Sequence, residues 1–293
     1  MSLKTLPPVP QGRPLASISS AINARALDRW NAGVKAATDD AERSISIYDA
    51  IGYDPWSGEG TNAKRISAAL RSMGAGPVTV NVNSPGGDMF EGLAIYNLLR
   101  EHKGEITVRI IGLAASAASV IAMAGDKVQI AKAGFLMIHN AWVMAVGNRN
   151  DLIEIAETLK PFDEAMATIY ADRTGLDMKS AAKMMDAETW IGGETAVEDG
   201  FADELLPSDQ VEKGSGKKNA RTERRIESAL MAAGLPKSEA MRMISEMKAG
   251  AGDPAGAGEG EPAGGDGVEP AADPSKDVLA ALSRFTLPAF SIS

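Results

Sequence analysis

Between residues 44 and 206, short runs of β-branched and aliphatic residues alternate with segments of helical spacing. This alternation constrains the fold more than any other feature of the chain. Residues 44–48 alternate as a strand, 78–82 and 106–111 read as further strands, and 127–130 and 134–138 as short ones. Helical spacing occupies 63–73, 90–100, 150–174, 178–185 and 195–199, with Asp177 placed to cap the fourth of these. Residues 115–124 are nearly all small or apolar, too poor in polar groups for a surface helix, so the pattern predicts a helix enclosed by the domain. Strands alternating with helices imply an α/β domain.

The flanks differ in character. Residues 1–43 form an N-terminal arm that opens on Pro7, Pro8, Pro10 and Pro14 and carries helical spacing over 22–37, with no chemistry-bearing group. Residues 207–248 read as a polar linker, then a helical hairpin over 221–233 and 236–248, with Pro236 in a first-turn position. In 249–275, Gly, Ala and Pro supply 19 of 27 residues and Asp or Glu six more, a composition that predicts disorder. The terminal peptide 276–293 carries Val278, Leu279, Leu282, Phe285, Leu287 and Phe290 and reads either as a docking peptide or as a frayed end.

Composition excludes several functions. With no cysteine there is no disulfide scaffold, thiol nucleophile or cysteine-based zinc site. A net charge of −9 argues against a nucleic-acid partner. No apolar run approaches the roughly 20 residues of a membrane span, and the first residues lack the apolar run of a signal peptide. A cytoplasmic protein without membrane contact is the expectation. Neither a P-loop nor a ligand cluster is present, so no cofactor or metal is expected.

The chemistry gathers in three places. Of the two histidines, His102 lies at a charged helix end and reads as solvated, whereas His139 closes the apolar run 135–138 where a strand meets a loop. Gly112-Leu113-Ala114-Ala115-Ser116 joins a strand to the small-residue helix, so Ser116 stands at a helix N-terminus that favours developing negative charge. Ser119, one turn further on, is the rival hydroxyl and reads as packing. In Asn83-Ser84-Pro85-Gly86-Gly87 two glycines follow a strand and permit a turn that aims an N–H at an anion. A hydroxyl needs a base to become a nucleophile, and the base needs a carboxylate; Asp163, Asp186 and Glu188 all lie downstream.

Asn83–Gly87, Gly112–Ser116 and Met137–His139, in this order, resemble the motifs of the ClpP serine peptidases. Residues 88–97 and 194–203 match as well, so the resemblance spans about residues 44–206. It implies the ClpP/crotonase-like fold, a spiral of β-β-α units, with Ser116 as nucleophile, His139 as general base and the N–H groups of Gly87 and Ala117 as the oxyanion hole. The family places an aspartate two residues before an aromatic near the domain end; with Trp190 as that aromatic, the position holds Glu188, and Asp186 is the fallback. Ala118 stands where the family usually has glycine.

Residues 47–52 and 185–190, together with the added flanks, resemble the ClpP-related head maturation (prohead) proteases of tailed phages. That likeness implies processing of scaffold and capsid precursors, and of the enzyme's own tail near 249–275, in the host cytoplasm inside the procapsid. The helix over 150–174 matches the family's handle and implies a homo-oligomeric ring, with substrates entering as extended chain. The competing readings are a catalytically idle ClpP-like assembly module, a crotonase-like acyl-CoA enzyme and a Ser-Lys dyad. A crotonase-like enzyme would not need Ser116 followed by His139, and the retained Met137-Ile138-His139 speaks against the dyad.

Overall fold

Val80, Val82, Val108, Ile110, Val128 and Ile130 are all fully buried, as strands covered on both faces require. They lie in a computed structural model that describes residues 19–20, 22–32, 34–36, 43–52, 60–207, 211–213, 218–232 and 234–250. The Pro-rich start, the acidic tether from 251 onward and the terminal apolar peptide lie outside the described residues.

The elements are, in order, β1 (Ser19–Ser20), α1 (Ala24–Arg29), β2 (Val34–Ala36), β3 (Ser44–Ile47), α2 (Ala63–Met73), β4 (Val78–Ser84) and α3 (Met89–Arg100). Then come β5 (Ile106–Ala115), α4 (Ala117–Ala122), β6 (Lys127–Ala131), β7 (Phe135–Ile138), β8 (Val143–Met144) and α5 (Arg149–Thr174). The rest are α6 (Met178–Asp186), β9 (Thr189–Gly192), α7 (Gly193–Glu198), β10 (Glu204–Leu206), β11 (Val211–Lys213), α8 (Lys218–Ala232) and α9 (Lys237–Gly250). Among the described residues no helix is long and apolar enough to cross a membrane.

The main sheet runs β10-β6-β5-β4-β3, all parallel, giving the α/β architecture expected of a ClpP-like chain. β5 is longer than the pattern over 106–111 suggested because it serves two partners. Residues 107–110 pair with β6, and residues 113–115 pair with β7, which in turn pairs antiparallel with β9. The register between β4 and β5 shifts between Val82 and Ser84. Asn83 heals that break: its Oδ1 accepts from the Leu113 N–H at 3.1 Å, and its Nδ2 donates to the carbonyls of Asn31 and Val34 at 2.8 and 3.0 Å. A buried amide with its donors and acceptor matched avoids the desolvation penalty that an unpaired one would incur.

The N-terminal segment departs from its sequence reading. The helix expected over 22–37 is only Ala24–Arg29, because Trp30 turns extended at φ −70° and ψ 131° and sends the chain into β2, which pairs with β11. Leu27 and Trp30 are buried against Leu113, Ala115 and Met137, each contributing about 1.5–3 kcal/mol. The Trp30 indole N–H donates to the Asn83 carbonyl at 2.9 Å. Residues 211–213 of the expected polar linker are therefore a strand.

The helices follow their patterns closely. α5 starts with a capping box between Asn148 and Asp151 and stops at the left-handed Gly175. Every residue of α4 is buried. In the C-terminal hairpin, Arg224 is buried between Asp49, at 3.3 Å, and Glu227, at 3.1 Å, and α8 also packs against α1. α9 runs to Gly250, two residues past the expected end.

Candidate active site

β5 delivers the chain to Ser116, which adopts φ 57° and ψ −126° before α4 begins. A non-glycine residue in that region stores strain, and such strain collects at functional sites. It also explains why the helix starts at Ala117 rather than Ala115: the kink at Ser116 separates strand from helix. The Ser116 N–H donates to the Met137 carbonyl at 2.9 Å, tying the kink to β7.

β7 ends at Ile138, so His139 leaves the sheet beside that kink. His139 Nε2 lies 2.7 Å from Ser116 Oγ. For Nε2 to accept the serine proton, the ring proton must sit on Nδ1. The imidazole is largely enclosed: burial holds its pKa below the usual histidine value, and the charge of Glu188 opposes that effect.

Glu188 stands next to this ring because β7 and β9 pair Ile138 with Thr189, which places the residues at 139 and 188 together just past the ladder's end. Glu188 is itself at φ 48°. Its carboxylate accepts from Asn23 Nδ2 at 3.2 Å and from Arg25 Nη1 at 3.4 Å, and no described residue donates to or accepts from His139 Nδ1. Asp186, the alternative acid, is exposed and accepts from Asn140 Nδ2 at 2.8 Å. Asp163 accepts from the Ala141 N–H at 2.6 Å; burial raises its pKa, the hydrogen bond opposes this, and Asp186 adds to the rise. These two aspartates thus hold the strand exit after His139, while Glu188 acts on the ring.

The glycine turn abuts the serine. Gly86, at φ 86°, lies so close that a Cβ there would stand 2.6 Å from Ser116 Cβ and 3.2 Å from the Ala117 nitrogen. Gly87, at φ 146°, would drive a Cβ into the Ile51 carbonyl. The turn is held in place by the Ile51 N–H donating to the Gly86 carbonyl at 2.8 Å and the Asp88 N–H donating to the Ile51 carbonyl at 2.9 Å. Ala117 is the first residue of α4, so its N–H has no acceptor within the helix.

Ser119 is fully buried and bonded to the Ser116 carbonyl and to the Tyr170 hydroxyl, in keeping with packing. Burial raises the Tyr170 pKa, so its phenol stays protonated. Ala118 is likewise fully buried in the core. His102 differs from its reading as a solvated residue: it is half-buried and its Nε2 donates to the Gly76 carbonyl at 2.9 Å. The arm, read as carrying no chemistry, supplies both partners of Glu188, and its Arg29 guanidinium lies 4.1 Å from the centre of the Trp190 ring. Asn23 has a sequence signal only as a helix cap; its second contact, 165 positions away, has none. Among the described residues no group of three or more acidic or imidazole side chains converges on a metal position.

Comparison with known proteins supplies the family. The Clp protease family model matches residues 59–209. The ATP-dependent Clp protease proteolytic subunit of Deinococcus radiodurans is 28% identical over 188 residues, covering 60% of this chain and 92% of that one. The subunit of the same name from Bacteroides fragilis is 30% identical over 131 residues, covering 44% of this chain and 63% of its own length. A solved ClpP1 mutant from Listeria monocytogenes aligns with a TM-score of 0.47 at 22% identity, over 61% of this chain and 94% of that one. By the family match and these relatives, the chain belongs to the Clp protease family and is a ClpP-like serine endopeptidase.

Proposed function

We propose that Ser116, His139 and Glu188 form a Ser-His-acid triad that cleaves peptide bonds by acyl transfer. The observation that carries this is the 2.7 Å contact between His139 Nε2 and Ser116 Oγ at a strained strand-to-helix turn. Ser116 Oγ attacks the scissile carbonyl as His139 Nε2 takes its proton. The oxyanion accepts from the N–H groups of Gly87 and Ala117, whose turns abut. His139 then gives the proton to the leaving amine, and water hydrolyses the acyl-enzyme by the same route. Glu188 is preferred to Asp186 because its charge acts on His139, whereas the Asp186 carboxylate is engaged with Asn140.

The substrates are proteins, presented as extended chain inside a homo-oligomeric ring in which α5 serves as the handle. The physiological role is processing of scaffold and capsid precursors in phage head maturation. Residues 47–52 and 185–190 and the added flanks support it by their likeness to those enzymes. A fluorophosphonate probe tests the mechanism: an adduct on Ser116, lost in His139→Ala, is expected. Intact mass tests the role: the wild type is expected to lose its tail within 249–275 and Ser116→Ala to keep it. A tail left whole at high concentration and long incubation would count against precursor processing.

One observation favours a second reading, a ClpP-like assembly module with an idle site. The Glu188 carboxylate is engaged by Asn23 and Arg25 and makes no hydrogen bond to His139. Absence of a Ser116 adduct in the assembled oligomer would favour it.

A further inference from the structure

The N-terminal segment reaches the acid of the triad from outside the peptidase motifs, and nothing in the mechanism above uses it. Asn23 caps α1, its Oδ1 accepting from the N–H groups of Arg25 and Ala26 at 2.9 and 3.2 Å. Its Nδ2 is left to face outward from the helix, and it donates to Glu188 Oε2 at 3.2 Å. Arg25, one turn position on, reaches Glu188 Oε1 at 3.4 Å. Each carboxylate oxygen therefore has its own donor, and two donors on two oxygens fix the rotation of the carboxylate plane, which one donor would not.

The need for such a fixture lies in the residue type. A glutamate has one more rotatable bond than an aspartate, and holding it in one geometry costs side-chain entropy. The catalytic acid must hold the imidazole within a narrow range of position and angle, which is the task of supporting hydrogen bonds. The fixture is firmly mounted. Ala26, Leu27 and Trp30 are buried on Leu113, Ala115 and Met137, the strands that carry Ser116 and His139. Trp30 bonds the Asn83 carbonyl, Asn83 bonds the Asn31 carbonyl, and Arg225 of α8 pairs with Asp28 at 3.4 Å.

We infer that Asn23 and Arg25 are positioning residues for the triad, and that the N-terminal segment braces Glu188 against His139. This rests on Glu188 being the triad acid. Asn23 contributes more than Arg25, whose side chain is 76% exposed and so screened by water.

The test uses the full chain and the rate of fluorophosphonate labelling at Ser116 as a function of pH. Asn23→Ser is the informative variant, because serine is a comparable N-cap but lacks the Nδ2–H donor. Loss of a hydrogen bond to a charged group predicts labelling slower by roughly tenfold at neutral pH, with the melting temperature held near the wild type. The acid limb of the profile also moves. Glu188, once released towards water, attracts the imidazolium less, so His139 loses its proton at a lower pH and the limb shifts to lower pH. The other charged groups packed around this end of the site, Asp163 of α5, Asp186 of α6 and Arg25 and Arg29 of α1, are unchanged in Asn23→Ser, so the shift reports Glu188. Arg25→Ala slows labelling about twofold, and Arg25→Lys restores most of it. Equal rates and an unmoved acid limb in Asn23→Ser would overturn the brace while leaving the triad intact. A wild type that never labels at Ser116 would remove the triad reading, and the inference with it.

Discussion

Ser119 bridges the carbonyl of Ser116 and the phenol of Tyr170, and the direction of its hydrogen bonds can be deduced. A serine hydroxyl has one hydrogen, and the carbonyl, 2.6 Å away, can only accept. Tyr170 must therefore donate to Ser119 Oγ across 2.8 Å. Both residues are fully buried. Ser119→Ala removes a bond to the carbonyl and strands the tyrosine O–H without an acceptor, which together cost about 2.5 kcal/mol. Tyr170→Phe removes the donor and strands nothing that must donate, costing about 1 kcal/mol. In the double variant the stranded donor is gone, so its cost of about 2 kcal/mol does not exceed that of Ser119→Ala alone. At about 2–4 °C per kcal/mol, thermal unfolding should show a fall of about 5–10 °C for Ser119→Ala and about 2–4 °C for Tyr170→Phe. The double variant should melt no lower than Ser119→Ala. All three should keep the Ser116 adduct, since His139 Nε2 contacts Ser116 Oγ and not Ser119. Additive losses, or a larger loss from Tyr170→Phe, would refute the assigned bond directions.

Burial depresses the His139 pKa against the opposing pull of Glu188, so the group stays neutral below the ordinary histidine value of 6.5. Ser116 labelling should therefore stay constant as pH falls through 6.5 and drop only as the folded-state pKa is reached. The unfolded chain takes up that proton first, so stability from this group is full above 6.5 and is lost as pH falls from there to the folded value; a labelling limb centred above 6.5 would refute the sign. Gly86→Ala sets a methyl 2.6 Å from Ser116 Cβ at φ 86°, and a displacement of nearly 1 Å should slow labelling about a hundredfold. Arg224→Ala leaves Glu227, only 7% exposed, without this cation. It should cost about 3 kcal/mol, seen as earlier proteolysis within α8 and α9.

Strands β3 to β7, most of the helices and the three motifs were legible because each is written in a few consecutive residues, whereas β1, β2 and β8 to β11, each two to four residues long, were not read from the sequence. Alternation at 44–48, helical spacing at 150–174, and glycines where a turn needs positive φ are all local patterns. A run of small residues likewise announced the buried α4. The misreadings share a cause. β5 was longer than its pattern because it changes partners midway, and the helix from 22 was shorter because Trp30 leaves it for a pocket on the sheet. The polar appearance of 211–213 concealed an edge strand that needs β2 to exist.

By itself, the sequence offered candidates for nucleophile, base and oxyanion donor, through short motifs of consecutive residues that resemble those of the ClpP peptidases. The resemblance already pointed to Glu188 through its position before Trp190, but what brings that carboxylate beside His139, and what holds it there, only the tertiary structure decided. Glu188 reaches the ring through the β7–β9 register, and Asn23 reaches Glu188 across 165 positions of chain. Such contacts exist only after the sheet has closed and the arm has buried Leu27 and Trp30 upon it, and no local pattern encodes the distance between segments that meet in this way.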